Sequence, residues 1–269
     1  MDTKPKTSEA NGRLWGARAR DWADIQEAQH GAAYDAILPR LVKRGTRYLD
    51  AGCGSGMAAQ IAAKRGAKVS GIDAAENLLA IARERVPDGD FRVGDLETLP
   101  FPDRAFDLVT GFNSFQYAAN PAAALAEARR VTKRRGLFSR AGRVVIMVWG
   151  PPANMPAASL VTALGPVLPP PPPGAPGPFA LSDEKALRAL ATSAGLRPRK
   201  MVDAKGAFRY PDLATALRGL GSSGVATRAI AHSGEEAVNE AHTKALAPFR
   251  KADGSYEAAV LFRCLICSP

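Results

Sequence analysis

Cysteine is scarce in this sequence, with three residues in 269. Three thiols exclude the disulfide framework that holds small secreted domains together. Cys264 and Cys267 form a C-x-x-C inside the apolar run Ala-Ala-Val-Leu-Phe-Arg-Cys-Leu-Ile-Cys, which reads as a strand. Residues three apart on a strand point to opposite faces, so the pair should hold neither one metal nor one tight disulfide. No run approaches the roughly 20 apolar residues that a membrane span needs. The first dozen residues, MDTKPKTSEANG, lack the apolar stretch of a signal peptide and read as a disordered tail over 1–11, which makes the cytoplasm the expected location. Acidic residues are also short, 26 against 36 Lys and Arg, for a formal charge of +10. Such an excess can attract nucleic acid or acidic partners. Here much of it is Arg scattered over helices, with one dense run at Lys133, Arg134, Arg135, Arg140 and Arg143, so nucleic acid and membrane are not the expected partners.

What is present is a sizeable apolar fraction, 46%, ample for a core. Trp15, Ala19, Trp22 and Ile25 recur near the helical period and predict an amphipathic N-terminal helix, the start of a cap segment over 12–44. From 45 to 150 strands and helices alternate. The strands are predicted at 47–52, 68–73, 91–95, 106–112 and 142–149, the helices at 56–65, 76–85 and 121–131. Alternation of this kind implies a parallel sheet with helices on both faces.

After Gly150 the pattern breaks. Residues 151–181 carry Pro169 to Pro173 and further Pro and Gly, which excludes helix and central strand and predicts an extended, polyproline-like insertion, either a lid or a passive loop. Residues 182–269 complete the core. Ser182 is the expected N-cap of a helix to about Ala194, strands follow at 200–209 and 256–266, and two helices at about 211–250 form a cap insertion.

The chemistry is concentrated at strand ends. Asp50-Ala51-Gly52-Cys53-Gly54-Ser55-Gly56 leads an apolar strand into a helix through three alternate glycines. Glycine permits a tight turn and lets a ligand lie against the backbone. Asp73 ends the second strand and is followed by Ala74. Asp95, followed by Leu96, ends the third, and Phe112-Asn113 ends the fourth. In open α/β sheets ligands bind at the carboxyl ends of the strands. A nicotinamide-dinucleotide loop, G-x-G-x-x-G, would put its third glycine at position 57, where Met57 stands.

Residues 45–150 resemble the class I S-adenosylmethionine-dependent methyltransferases, particularly the ubiquinone-methyltransferase-like branch that acts on small molecules. The resemblance implies a three-layer α/β sandwich with a mostly parallel, seven-stranded Rossmann-like sheet and a helical cap. It implies S-adenosyl-L-methionine as cofactor and a small-molecule acceptor methylated on O, N or C, with a place in secondary metabolism as one option. Asp50, Gly52, Cys53, Gly54 and Gly56 would cradle the methionine portion, Asp73 and Ala74 the ribose, Asp95 and Leu96 the adenine. Asn113 would stand near the transferable methyl group. The sequence departs from the family's Pro-Gly-Gly before the fifth strand, with Lys133 to Gly142 in its place. Phe115, Gln116, Tyr117 and Trp149 are the expected acceptor-lining residues. His30 and Tyr117 are the candidates for catalysis, and Arg209 a partner for an acidic acceptor. An RNA or protein methyltransferase, or a non-catalytic cofactor-binding protein, are the alternatives.

Overall fold

The computed structural model describes residues 7–136, 141–172 and 176–269. The described residues form a seven-stranded sheet from β1 (Arg47–Ala51), β2 (Lys68–Asp73), β3 (Asp90–Val93), β4 (Leu108–Phe112), β5 (Arg143–Trp149), β6 (Arg197–Tyr210) and β7 (Tyr256–Ser268). The order is β3-β2-β1-β4-β5-β7-β6, with β7 antiparallel to both neighbours and the other pairs parallel.

β5 is apolar on both faces because helices cover both. Val145 and Met147 join one buried cluster, Val144 and Ile146 the other. The N-terminal segment comprises α1 (Thr7–Gly16), the single turn α2 (Ala19–Asp21), a π turn over Trp22–Gln26 and a 3-10 turn over Glu27–His30, followed by α3 (Gly31–Leu41). On one face of the sheet α3, α4 (Met57–Lys64) and α5 (Glu76–Arg85) bury Ile37, Ala59 and Leu79. On the other, α6 (Pro121–Val131) and α8 (Glu184–Ser193) bury Leu125 and Leu187. This is the three-layer arrangement the alternation implied. Cys264 and Cys267 fall in different clusters, on opposite faces.

Several boundaries are corrected. The tail ends earlier than residue 11, since α1 begins at Thr7; residues 1–6 lie outside the described residues. The N-terminal helix predicted on Trp15, Ala19, Trp22 and Ile25 is broken after Gly16, and a π turn resets which side chains face inward. Asp183, not Ser182, caps α8, because its carboxylate accepts from Ala186 N at 2.8 Å. The extended reading of 151–181 fails in part: α7 (Ala158–Thr162) and two 3-10 turns occupy its first half, while Pro169–Pro172 has no regular structure. Residues 173–175 and 137–140, with Arg140, lie outside the described residues. The region 211–250 holds three helices, α9 (Leu213–Gly221), α10 (Gly224–Ser233) and α11 (Glu235–Leu246). The last two are separated by Gly234 at φ +87. No helix among the described residues is long and apolar enough to cross a membrane.

Candidate active site

β1 delivers Asp50 to the carboxyl edge of the sheet, and the glycine loop turns there into α4. Gly52 sits at φ +74, and a Cβ on it would lie 2.4 Å from Ser114 Cβ; Ser114 Oγ is held against Ala51 O at 2.6 Å. Gly54 sits at φ +54, and a Cβ there would come within 3.3 Å of Glu27 Oε1 and Trp22 Nε1. The loop is therefore a backbone surface kept clear of side chains. Asp73 ties it down: Oδ2 accepts from Gly54 N and Oδ1 from Ala75 N, both at 2.9 Å. Asn113 follows β4 at φ 56, a left-handed conformation that Asn tolerates better than most residues. Its Oδ1 accepts from Gln116 Nε2.

These elements floor a cavity with about 930 Å³ of empty space, part of it open to solvent. Asp50, Gly52, Cys53, Gly54, Asp73, Ala74, Asp95, Leu96, Asn113 and Tyr117 all line it; Gly56 lies just outside, as the N-cap of α4. The N-terminal segment closes it. Thr7, Ser8 and Asn11 reach the wall, and Asn11 Nδ2 donates to Tyr117 O at 3.0 Å. Trp15 meets Trp22 edge-on at 5.1 Å and Tyr117 at 5.4 Å between ring centres.

One residue of this wall escaped sequence reading. Glu27 is buried at 3% exposure and accepts from Ser55 Oγ at 2.6 Å, from Met57 N at 3.3 Å and from Arg85. Arg85 also donates to Ser55 O at 3.0 Å and Ala23 O at 2.7 Å. The pair thus fastens the N-terminal segment to the glycine loop. A glutamate beside Gln26 in a polar stretch looks solvated. Ala19, Ala23 and His30 are buried with it, but the π turn at Trp22–Gln26 interrupts the period that would have signalled this.

The electrostatics are one-sided. Asp50 and Glu27 are buried and Asp73 half-buried around the loop, beside the guanidinium of Arg85. Burial pushes the Asp50 carboxyl up to about 7, and the charges of Glu27 and Asp73 push the same way against the Thr110 hydrogen bond. Burial likewise raises Asp73 and Glu27. Excess buried negative charge calls for a cationic ligand and disfavours a dinucleotide's pyrophosphate. S-adenosylmethionine carries a sulfonium, an ammonium and one carboxylate, a net positive charge, so the residues present fit it.

A second, larger cavity of about 1890 Å³ adjoins the first, sharing Trp15, Trp22, His30, Asn113 and Tyr117 with it. Gln116 and Trp149 line this one. Phe115, expected beside them, does not. It is 1% exposed in the core, and its ring occupies the space that a side chain on Gly111 would need. Trp149 stacks on Phe262 at 5.5 Å, and His30 lies 5.8 Å from Trp149. Burial lowers His30 to about 4, against the pull of the nearby Glu27 and Gln26 carbonyls, and raises the Tyr117 hydroxyl to about 12. Neither is charged near neutral pH. Arg209 lies elsewhere and pairs with Glu257 at 2.9 Å.

The family model described as "Methyltransferase domain" matches residues 49–139. The Malonyl-[acyl-carrier protein] O-methyltransferase of Serratia marcescens is 37% identical over 94 residues, 35% of this chain and 37% of that protein. The Demethylmenaquinone methyltransferase of Thermotoga maritima is 36% identical over 108 residues, 39% of this chain and 44% of that protein. The chain thus spans less than half the length of these two relatives. In structure it is similar to the [4+2]-Cyclase SpnF, with TM-score 0.58 and 19% identity over 97% of this chain and 93% of the other, a likeness of fold. The match to a methyltransferase domain thus covers residues 49–139, the part of the chain that carries the glycine loop, and the likeness of fold extends over the rest.

Proposed function

We propose that this chain transfers a methyl group from S-adenosylmethionine to a small molecule held in the larger cavity. The observation that carries the reading is the pair of adjoining chambers. One is acidic and floored by glycine; the other is walled by apolar side chains, and the two meet at Trp15, Trp22, His30, Asn113 and Tyr117. In the smaller chamber Asp73 would hold the ribose, Asp95 and Leu96 the adenine, and the glycine loop with Asp50 the methionine portion. The bound cofactor supplies a methyl carbon already activated by its sulfonium. The protein's part is to align the acceptor and exclude water. Trp15 and Trp22 serve exclusion by covering the junction. His30, neutral in its buried place, can accept a hydrogen bond from an acceptor hydroxyl, and Tyr117, whose proton burial retains, can donate one. An enclosed chamber suits a small molecule better than a folded RNA or protein.

Calorimetric titration with S-adenosylmethionine, with NAD as control, tests the cofactor half. Saturable binding of S-adenosylmethionine alone, reduced at least about 100-fold by Asp73→Ala through loss of charge-assisted hydrogen bonds, is the expected result. Binding of NAD in preference would overturn it.

A further inference from the structure

The larger chamber is unusual for a chain with 36 Lys and Arg and 26 Asp and Glu: among the described residues that line it, none is charged. Trp149 and Phe208 rise from the sheet, Leu160 and Leu164 come from the segment after β5, and Leu220 and Val225 from the helical cap. His30, Asn113 and Tyr117 stand at the junction with the smaller chamber, with Gln116 beside them. Away from it the polar lining includes Thr162, Ser223 and His242, set among Leu160, Val161, Leu164, Leu168 and Val225.

A second observation concerns hydrogen bonding. Among the described residues, five buried side-chain atoms lack a hydrogen-bond partner: Trp22 Nε1, His30 Nδ1, Gln116 Oε1, Arg129 Nε and His242 Nδ1. Four of the five belong to residues lining this chamber. Buried polar atoms are almost always paired, so their concentration around one cavity marks a place that a ligand completes. Gln116 is informative because its Nε2 is engaged by Asn113 and its free Oε1 can only accept. His30 and His242 supply no counter-charge, since burial lowers both to about 4. A carboxylate or phosphate would therefore enter without a cation from the chamber wall, at a desolvation cost the protein does not offset.

We propose that the larger chamber takes an uncharged, mostly apolar acceptor that presents a hydroxyl group, phenolic or enolic, to the junction at His30, Gln116 and Tyr117, with its apolar body along Leu160 and Leu164. This rests on the methyltransferase reading above. It narrows the acceptor to one class, with the hydroxyl oxygen the atom nearest the methyl donor.

All three tryptophans of the chain, Trp15, Trp22 and Trp149, line this chamber, so intrinsic fluorescence reports its occupancy directly. The probes are 4-butylphenol, butylbenzene and 4-butylbenzoate, titrated with S-adenosylhomocysteine present to fill the smaller chamber. The expected order is 4-butylphenol first, butylbenzene about five- to tenfold weaker for want of one hydrogen bond, and 4-butylbenzoate weaker still. In Gln116→Leu, 4-butylphenol should lose its advantage while butylbenzene binds as before, which separates loss of recognition from loss of fold. Benzoate binding as tightly as the phenol, equal binding of phenol and butylbenzene to the wild type, or no response to any probe would each overturn the proposal. Calorimetry with S-adenosylmethionine on the same sample separates the two readings. Cofactor binding without the phenol preference overturns the acceptor class alone; absence of cofactor binding overturns the methyltransferase reading and this one with it.

Discussion

Raising the pH from 6 to 8 should tighten S-adenosylmethionine binding about tenfold, and Asp50 should be the cause. Its carboxyl is pushed up to about 7 because it is buried and faces Glu27 and Asp73, with Thr110 Oγ1 donating to it at 3.0 Å. One unit below that value about ten in eleven molecules carry the proton; one unit above, about one in eleven. A cationic ligand binds the ionised form, so the population ready for it grows by about tenfold, or about 1.4 kcal/mol. The empty fold responds in the opposite sense. Between the unfolded carboxyl value of 3.8 and about 7 the folded state holds a proton that the unfolded state has released, so stability falls as pH rises through this window and levels above it. Calorimetry at both pH values measures the affinity, and urea unfolding of the ligand-free protein measures the stability. Asp50→Asn should bind at pH 8 about as weakly as wild type at pH 6, with a flat profile. Wild-type affinity that is constant or falls with pH refutes the reasoning. An undiminished slope in Asp50→Asn refutes the assignment to Asp50.

Three further outcomes follow from the packing. Glu27→Gln leaves Arg85 buried without its counter-ion and should cost about 3–5 kcal/mol in urea unfolding, part of it recovered in Glu27→Gln/Arg85→Met. Gly54→Ala places a methyl group at positive φ against Glu27 and Trp22. It should cost the fold only about 1–2 kcal/mol while reducing S-adenosylmethionine affinity further, and equal effects on both would refute the cradle. Phe115→Ala should destabilise by about 3–5 kcal/mol, read by urea unfolding, and leave the three-probe ranking intact if the ring belongs to the core and not to the acceptor wall.

The sheet was legible because its strands carry their own signal. Val144 to Val148 is apolar at every position, as a strand covered on both faces must be, and Asp50, Asp73 and Asp95 each punctuate a strand end. The glycine loop was legible because alternate glycines restrict what can lie above them. The helical additions were harder. Trp15, Ala19, Trp22 and Ile25 fit one continuous helix, but the π turn at Trp22–Gln26 rotates the segment so that Gln26, Glu27 and His30 turn inward. Burial of those polar residues depends on partners distant in sequence, Tyr210 for Gln26 and Arg85 for Glu27, which no local period reveals. Phe115 was misplaced for a related reason. Its neighbours Gln116 and Tyr117 face a cavity, and only the 3-10 turn over Phe115–Tyr117 sends the first ring the other way. Gly234, one glycine among several, ends α10 by its φ of +87, and spacing does not single it out.

The match to known methyltransferase domains stops short of most of the larger chamber's wall. The stretch similar to known methyltransferase domains, 49–139, holds Asp50, Asp73, Asp95 and Asn113, which line the smaller chamber. Trp149, Leu160, Phe208 and His242, which line the larger chamber, all fall beyond it, in the strand ends and cap helices that follow. If the proposed division of labour holds, substitutions in the cap would revise which molecule enters while leaving the glycine loop untouched.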